Sequence, residues 1–360
     1  MAGFRILLAP RLEVSHRMRA ATLAAGVAAG LAISALFLLL VGVPLGDLWS
    51  EVVLYTFTDP SGLDQTITRA IPLILVGLSV AVVLRVRFWN IGVEGQAWMG
   101  ALATTAVSLY AIGPMPLHLP LMFAGAALAG AFWCGLCAWA RLRLKADEVI
   151  TTLLLNYVAY YLTQHLLYGA WRNPNDSYPT SPDFAPGETL PGIGFGHVHA
   201  GLLIALAAVG FCWWLCSASR IGLMARAIAN NPVAARAVGI PVERVVLLVA
   251  MLAGALSGLA GFSLVAGTEH RLTQFIGQDY IFPSIVIAYL GRSHPLGVLV
   301  AAFAIAGLYT AGDSLKAFYQ LPGAVVLTVE AMLLLTVTAF DFFLRYRVSV
   351  LRAARPAVSS

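Results

Sequence analysis

Residues 20–43 read AATLAAGVAAGLAISALFLLLVGV, 24 consecutive positions without a charged side chain. A helix rising about 1.5 Å per residue needs roughly 20 apolar residues to cross a hydrocarbon layer about 30 Å thick. The run exceeds the apolar core of a secretory signal, about 7–15 residues, and follows a long polar leader, so it predicts a retained anchor. Nine more apolar runs follow, at about 69–86, 89–112, 119–140, 148–168, 200–217, 245–267, 277–291, 295–314 and 321–343. They are continuous rather than alternating, which selects helices over a barrel. The eighth is too short for a straight crossing and predicts a broken or re-entrant helix. The expected fold is all-α and polytopic, with about ten transmembrane helices.

Composition agrees. Hydrophobic residues make up 60% of 360 positions and charged residues 11%, against about 25% charged in soluble domains. The net charge of +5 does not point to nucleic acid, because no basic run is interleaved with aromatics. With the N-terminus placed in the cytoplasm, 18 of the 22 Lys and Arg fall on the inner side; only Arg69, Arg172, Arg271 and Lys316 fall outside. This positive-inside bias predicts an N-in, C-in topology. It divides the chain into a cytoplasmic segment (1–19), a transmembrane domain (20–343) and a cytoplasmic tail (344–360). An external loop is expected at about 169–199 and a cytoplasmic loop at about 219–244.

Three polar segments interrupt this pattern. The first, Phe88 to Gln96, places Asn90, Gly92, Glu94, Gly95 and Gln96 at the start of an apolar run. Carboxylates in lipid are costly and glycines weaken helices, so an unwound start facing protein or a water path is expected. The other reading leaves Glu94 hydrated at the inner interface, paired with Arg85 or Arg87. The second segment, Lys145 to Tyr157, repeats polar residues at Glu148, Thr152 and Asn156, one stripe of a helix. Such a stripe either joins helices or lines a pathway. In the third, Asn231 suits an N-cap, Pro232 a first turn and Gly239 a C-terminal stop. That pattern predicts a short capped helix in the inner loop, surrounded by Arg220, Arg226, Arg236 and Arg244.

Cys134, Cys137, Cys212 and Cys216 lie in apolar runs and read as packing residues. Gly26-x-x-x-Gly30 and Gly254-x-x-x-Gly258 read as helix contacts within one subunit. The sequence has no phosphate-binding G-x-x-x-x-G-K-[ST], no H-E-x-x-H and no G-x-S-x-G, so no ATPase site, metal, cofactor or catalytic residue is expected. Asn90-Ile91-Gly92 and Phe275-Ile276-Gly277 are a faint echo of a five-plus-five inverted repeat.

Together these segments resemble the permease subunits of bacterial ABC importers of the branched-chain amino acid, ribose and nucleoside group, closest to the nucleoside or simple-sugar branch. The family pattern F-N-I-G-x-E-G-Q is similar to Phe88–Gln96, with Trp89 inserted. An N/D-E-V-I-T-T-x-x-L-N-Y element is similar to Asp147–Tyr157, and the inner-loop pattern matches Gly222, Arg226, Ala227, Asn231, Ala234, Ala235, Gly239 and Ile240. Leu290-Gly291-Arg292 with Pro295 and Gly297 is also similar. The resemblance covers about 65–345, and Glu330-Ala331 departs from an expected Gln-Gly-like pair.

The resemblance implies a permease in the bacterial plasma membrane that translocates nucleosides, purine nucleosides first and ribose-like sugars as the alternative. It implies an ATP-binding subunit, a second and homologous permease chain, and an external binding protein as partners. Asn90, Glu94, Gln96, Thr152 and Asn156 are the expected pathway residues. Arg226, Asn231, Pro232, Ala235, Arg236 and Gly239 would couple the chain to the ATPase. An ion-driven transporter using Glu94 and Glu330, and a membrane enzyme, are the competing classes.

Overall fold

The structure, a computed structural model, describes residues 4–11, 15–44, 46, 49–276 and 280–352. In chain order its first elements are β1 (Phe4–Pro10), α1 (His16–Val41), α2 (Pro60–Val83), α3 (Val93–Leu109), α4 (His118–Leu144) and α5 (Glu148–Tyr168). Next come α6 (Gly201–Ala218), α7 (Arg220–Asn230), α8 (Pro232–Ala237) and α9 (Val242–Ser263), which runs on as a π-helical turn at Leu264–Glu269. The last are α10 (Ile281–Leu290), α11 (Pro295–Tyr319), α12 (Gly323–Arg345) and β2 (Tyr346–Arg352).

A helix occupies each of the ten apolar runs. Among the described residues, six stretches are long and apolar enough by themselves to cross a membrane: Ala24–Val41, Pro60–Val86, Met115–Leu144, Gly201–Ala218, Val242–Glu269 and Pro295–Tyr319. In the eighth run the helix has only ten residues, about 15 Å of rise, half of a crossing. Gly277, which carries one half of the repeat echo, lies outside the described residues. Helix α2 starts nine residues before the expected 69, because Asp59 caps it by accepting from Ser61 N at 2.8 Å and Pro60 fills the first turn. Asp64 and Arg69 are therefore helical rather than loop residues.

The chain forms two compact units. One draws on the chain ends, up to Tyr55 and from Ala311 onward; the other spans Thr56–Thr310. In the first, α1 packs on α12, and β1 pairs antiparallel with β2 from Phe4–Arg352 to Pro10–Tyr346. This two-stranded sheet corrects the all-α expectation for the two terminal segments. Val348 and Val350 alternate with Arg347 and Ser349, a strand period, and residues 4–10 are themselves largely apolar. Glu330 lies in α12; its side chain is outside those described.

In the second unit α9 is central and packs against α4, α2 and α3. Glycine makes this possible. A Cβ on Gly254 would strike the Gly130 carbonyl oxygen, one on Gly258 the Ala126 carbonyl, and one on Gly100 the Gly258 carbonyl. Gly254-x-x-x-Gly258 is thus a seam within the chain, as its sequence reading held. Trp98, Leu102, Met122, Phe262 and Val265 fill the adjoining core. Ser257 Oγ donates to Ser79 Oγ at 2.9 Å, tying α9 to α2.

Candidate functional site

The start of α3 is a polar knot. Residues 88–92 are irregular, and Gly92 at the N-cap offers no side chain. A helix start leaves orphan amide hydrogens; here a neighbouring helix and the approach to α3 satisfy them. Asn156 on α5 accepts from Gly95 N at 2.8 Å and donates to the Ile91 carbonyl at 2.8 Å. Thr152 Oγ1 accepts from Ile91 N at 3.3 Å and donates to the Glu148 carbonyl at 2.6 Å. Asn90 and Gln96 pair amide to amide, at 3.0 and 2.8 Å, while Asn90 Oδ1 also accepts from Gly92 N at 3.0 Å. All four side chains are buried. Gly95 is required, because a Cβ there would lie 2.7 Å from Asn156 Oδ1.

The structure therefore brings Asn90, Gln96, Thr152 and Asn156 together, with their polar groups engaged by one another and by backbone. Glu94 stands apart and half-buried, accepting from Tyr280 N at 3.2 Å. Arg85 instead donates to the Ser293 carbonyl at 2.7 Å and Arg87 to the Asn230 carbonyl at 3.3 Å. Glu148, the first member of the α5 stripe, pairs with Arg141 at 3.3 Å.

At the far end of α6 the chain turns through α7 into α8. Asn231 caps α8, accepting from Val233 N and Ala234 N at 3.0 and 3.1 Å. Pro232 occupies the first turn, Ala235 is the buried contact, and Gly239 stops the helix at φ +83°. Arg226 Nη2 donates to the Cys216 carbonyl at 2.8 Å, so it fastens α7 onto the end of α6. Arg236 is exposed and lies 3.9 Å from Glu243. Val233 and Val238 are 71% and 76% exposed, an apolar tip amid arginines.

The segment 169–199 is strapped down along its length. Leu190 N donates to the Ala266 carbonyl at 2.7 Å, Phe184 N to His270 at 2.9 Å and Ser181 N to Leu272 at 2.9 Å. Arg271 reaches Asp176 at 3.0 Å. The Tyr178 amide hydrogen, the Thr180 hydroxyl and Arg271 together hold the Asp176 carboxyl below its ordinary range. Glu188 accepts from Ser108 at 2.6 Å and Ala185 N at 2.9 Å, and lies 2.6 Å from His118 Nδ1. Burial, reinforced by nearby His270, pushes His199 down to about 4. Its Nδ1 accepts from Gly201 N at 3.1 Å.

Beside this strap lies a cavity of about 300 Å³, lined by Asp64, Gln65, Thr68, Arg69, Pro72, His197, Leu264, Thr268, Glu269 and Tyr280. None of these was singled out as a site residue from sequence. The signals were present but unread: Pro72 inside an apolar run, and Asp64 and Glu269 at the edges of others. Asp64 is engaged by His197, through its backbone N and through Nδ1, both at 2.7 Å. Tyr280 joins the cavity to Glu94.

Among the described residues the chain is a helical bundle with six stretches long and apolar enough to cross a membrane, and a short capped helix stands exposed at one end of it. The chain belongs to the family described as branched-chain amino acid transport system / permease component, whose family model matches residues 62–338. It is 36% identical over 354 residues to the glucose ABC transporter permease protein TsgB13 of Haloferax volcanii, covering 95% of this chain and 93% of that one. It is 30% identical to the guanosine ABC transporter permease protein NupP of Bacillus subtilis, over 86% and 90% of the two chains. The nucleoside ABC transporter permease protein NupB of Lactococcus lactis is 28% identical over 68% of this chain and 71% of that one. The chain is a multi-pass plasma-membrane permease subunit of an ABC transporter. In that family nucleotide hydrolysis belongs to a partner protein.

Proposed function

We propose that this chain forms the membrane path of an ATP-driven importer for a neutral solute that carries a sugar ring. The relatives act on glucose, guanosine and nucleosides by name, and a sugar ring is what those solutes share. The more identical relative favours a free hexose. Two nucleoside relatives, together with the Phe88–Gln96 and Asp147–Tyr157 patterns, favour purine nucleosides as the second reading.

The observation that carries the mechanism is the mounting of α8. Its exposed Val233 and Val238 suit a groove on an ATP-binding subunit, and its buried Ala235, capped start and Arg226 strut make it stiff. Movement of that subunit would pass through α7 to the end of α6 without being absorbed by the loop. The polar knot supports a bracing role for Asn90, Gln96, Thr152 and Asn156, so that α3 and α5 move as one body. Glu94 remains the pathway candidate, because its partner Tyr280 lines the cavity. A second permease chain and an external binding protein complete the proposed assembly.

Uptake in cells tests the coupling. Gly239→Pro cannot adopt φ +83°, and Arg226→Glu breaks the strut. Both variants are expected to insert normally and to lose ATP-dependent uptake by at least about tenfold, roughly 1.4 kcal/mol of coupling. Full uptake by either variant removes α8 from the drive.

A further inference from the structure

We propose that the cavity beside α2 is a polyol-binding sub-site that receives the sugar hydroxyls of the solute on its way through the chain; this rests on the functional reading above. Two helices lose their regular hydrogen bonding at this place. Pro72 has no amide hydrogen to give the Thr68 carbonyl four residues earlier. On the facing side α9 widens into the π-turn Leu264–Glu269, a distortion that recurs at functional sites. Transporters build solute sites where helices are interrupted, and Pro72 interrupts α2 twelve residues from its start.

The lining chemistry selects the ligand class. Thr68 Oγ1 is buried and has no hydrogen-bond partner among the described residues. A buried hydroxyl left unpaired costs about 1–3 kcal/mol. Thr68 forms part of the cavity wall, and a turn about its χ1, for which a helical Thr has two rotamers, would bring the hydroxyl to a ligand and remove that cost. Glu269 offers two acceptors suited to a vicinal diol, Arg69 and Gln65 offer donors, and Tyr280 brings an aromatic ring. Pro72 and Leu264 form an apolar patch for a ring face. The charges are mixed: one arginine faces two carboxylates, of which Asp64 is already held by His197. A phosphate or carboxylate ligand would call for a surplus of cations, which this lining lacks. The volume of about 300 Å³ is at the small end for ligand pockets and matches a single sugar ring or a small nucleoside.

Thiol protection in the complete transporter tests the proposal. All four native cysteines are buried, so Thr268→Cys gives one accessible thiol in the lining. It is expected to react with a membrane-impermeant thiol reagent added outside whole cells. Saturating glucose, ribose or adenosine should slow that reaction at least about fivefold. Failure of the impermeant reagent to label, with labelling by a permeant one, overturns an outward-facing sub-site. Labelling that none of the three solutes slows overturns the polyol assignment. Slowing by glucose and ribose but not adenosine assigns the site to free sugars; slowing by adenosine alone assigns it to nucleosides. Equilibrium binding of the same labelled solutes to purified Thr68→Val transporter gives a second readout, expected to weaken about three- to tenfold for one lost hydrogen bond. Uptake by the unmodified chain is scored in parallel. If it imports a sugar or nucleoside that gives no protection, the sub-site fails and the permease reading stands. If it imports neither yet glucose protects, the functional reading fails and the sub-site stands.

Discussion

The start of α3 and the neighbourhood of Pro72 in α2 are both places where a membrane helix carries polar side chains, and they are built to opposite ends. At the start of α3 the side-chain amides of Asn90, Gln96 and Asn156 are matched to each other or to backbone, within a region that excludes water. Around Pro72 in α2 the proline withholds a donor, a buried Thr68 hydroxyl has no hydrogen-bond partner among the described residues, and the facing helix opens into a π-turn. Saturated polar groups hold two helices in one arrangement; unsaturated ones beside a cavity hold a place for something else. Polar residues in an apolar run therefore do not by themselves mark a path.

The largest effect should come from cutting the knot. Asn156→Leu leaves Gly95 N–H and the Ile91 carbonyl buried without partners, at about 1–3 kcal/mol each, and should sharply lower the thermal midpoint of the solubilised protein. An unchanged midpoint would remove the bracing role. Gly95→Ala comes next: its Cβ would lie 2.7 Å from Asn156 Oδ1, and the displacement should cost about 1–3 kcal/mol, read in the same assay. Thr68→Val is the counterpart in the cavity and should do the reverse. It removes an unmatched hydroxyl, so stability should hold or rise slightly while solute binding weakens. A loss of stability as large as that of Asn156→Leu would erase the distinction between the two regions.

The smallest effect is a pH slope. His199 is held at about 4 in the folded protein against about 6.5 when free. Between those values the unfolded chain binds a proton that the folded chain refuses, so stability rises with pH from about 4 to about 6.5. It falls on acidification through that window. His199→Gln should flatten the slope, as followed by thermal midpoints across the same range.

Much of this was legible in the sequence. The apolar runs announced their helices because a bilayer demands about 20 apolar residues in series. Asn231, Pro232 and Gly239 announced α8 because caps are local chemistry. The Gly254–Gly258 seam was legible from small residues one turn apart. The partners of the polar residues were not, because Asn156 meets Gly95 across 61 positions and spacing alone cannot say whether a polar stripe joins or lines. The cavity was hidden for a similar reason: Thr68 and Glu269 come from helices about two hundred residues apart, and a π-turn leaves no periodic mark. The strands at Phe4–Pro10 and Tyr346–Arg352 escaped notice because each is short and takes its partner from the opposite end of the chain.

The most direct measurement is uptake of labelled glucose and guanosine by host cells with and without this chain, before and after ATP depletion. The account predicts that ATP-dependent uptake of at least one disappears without the chain and returns with the unmodified protein but not with Gly239→Pro. Uptake of both that is indifferent to the chain, or chain-dependent uptake that survives ATP depletion and collapses with an uncoupler, would contradict it.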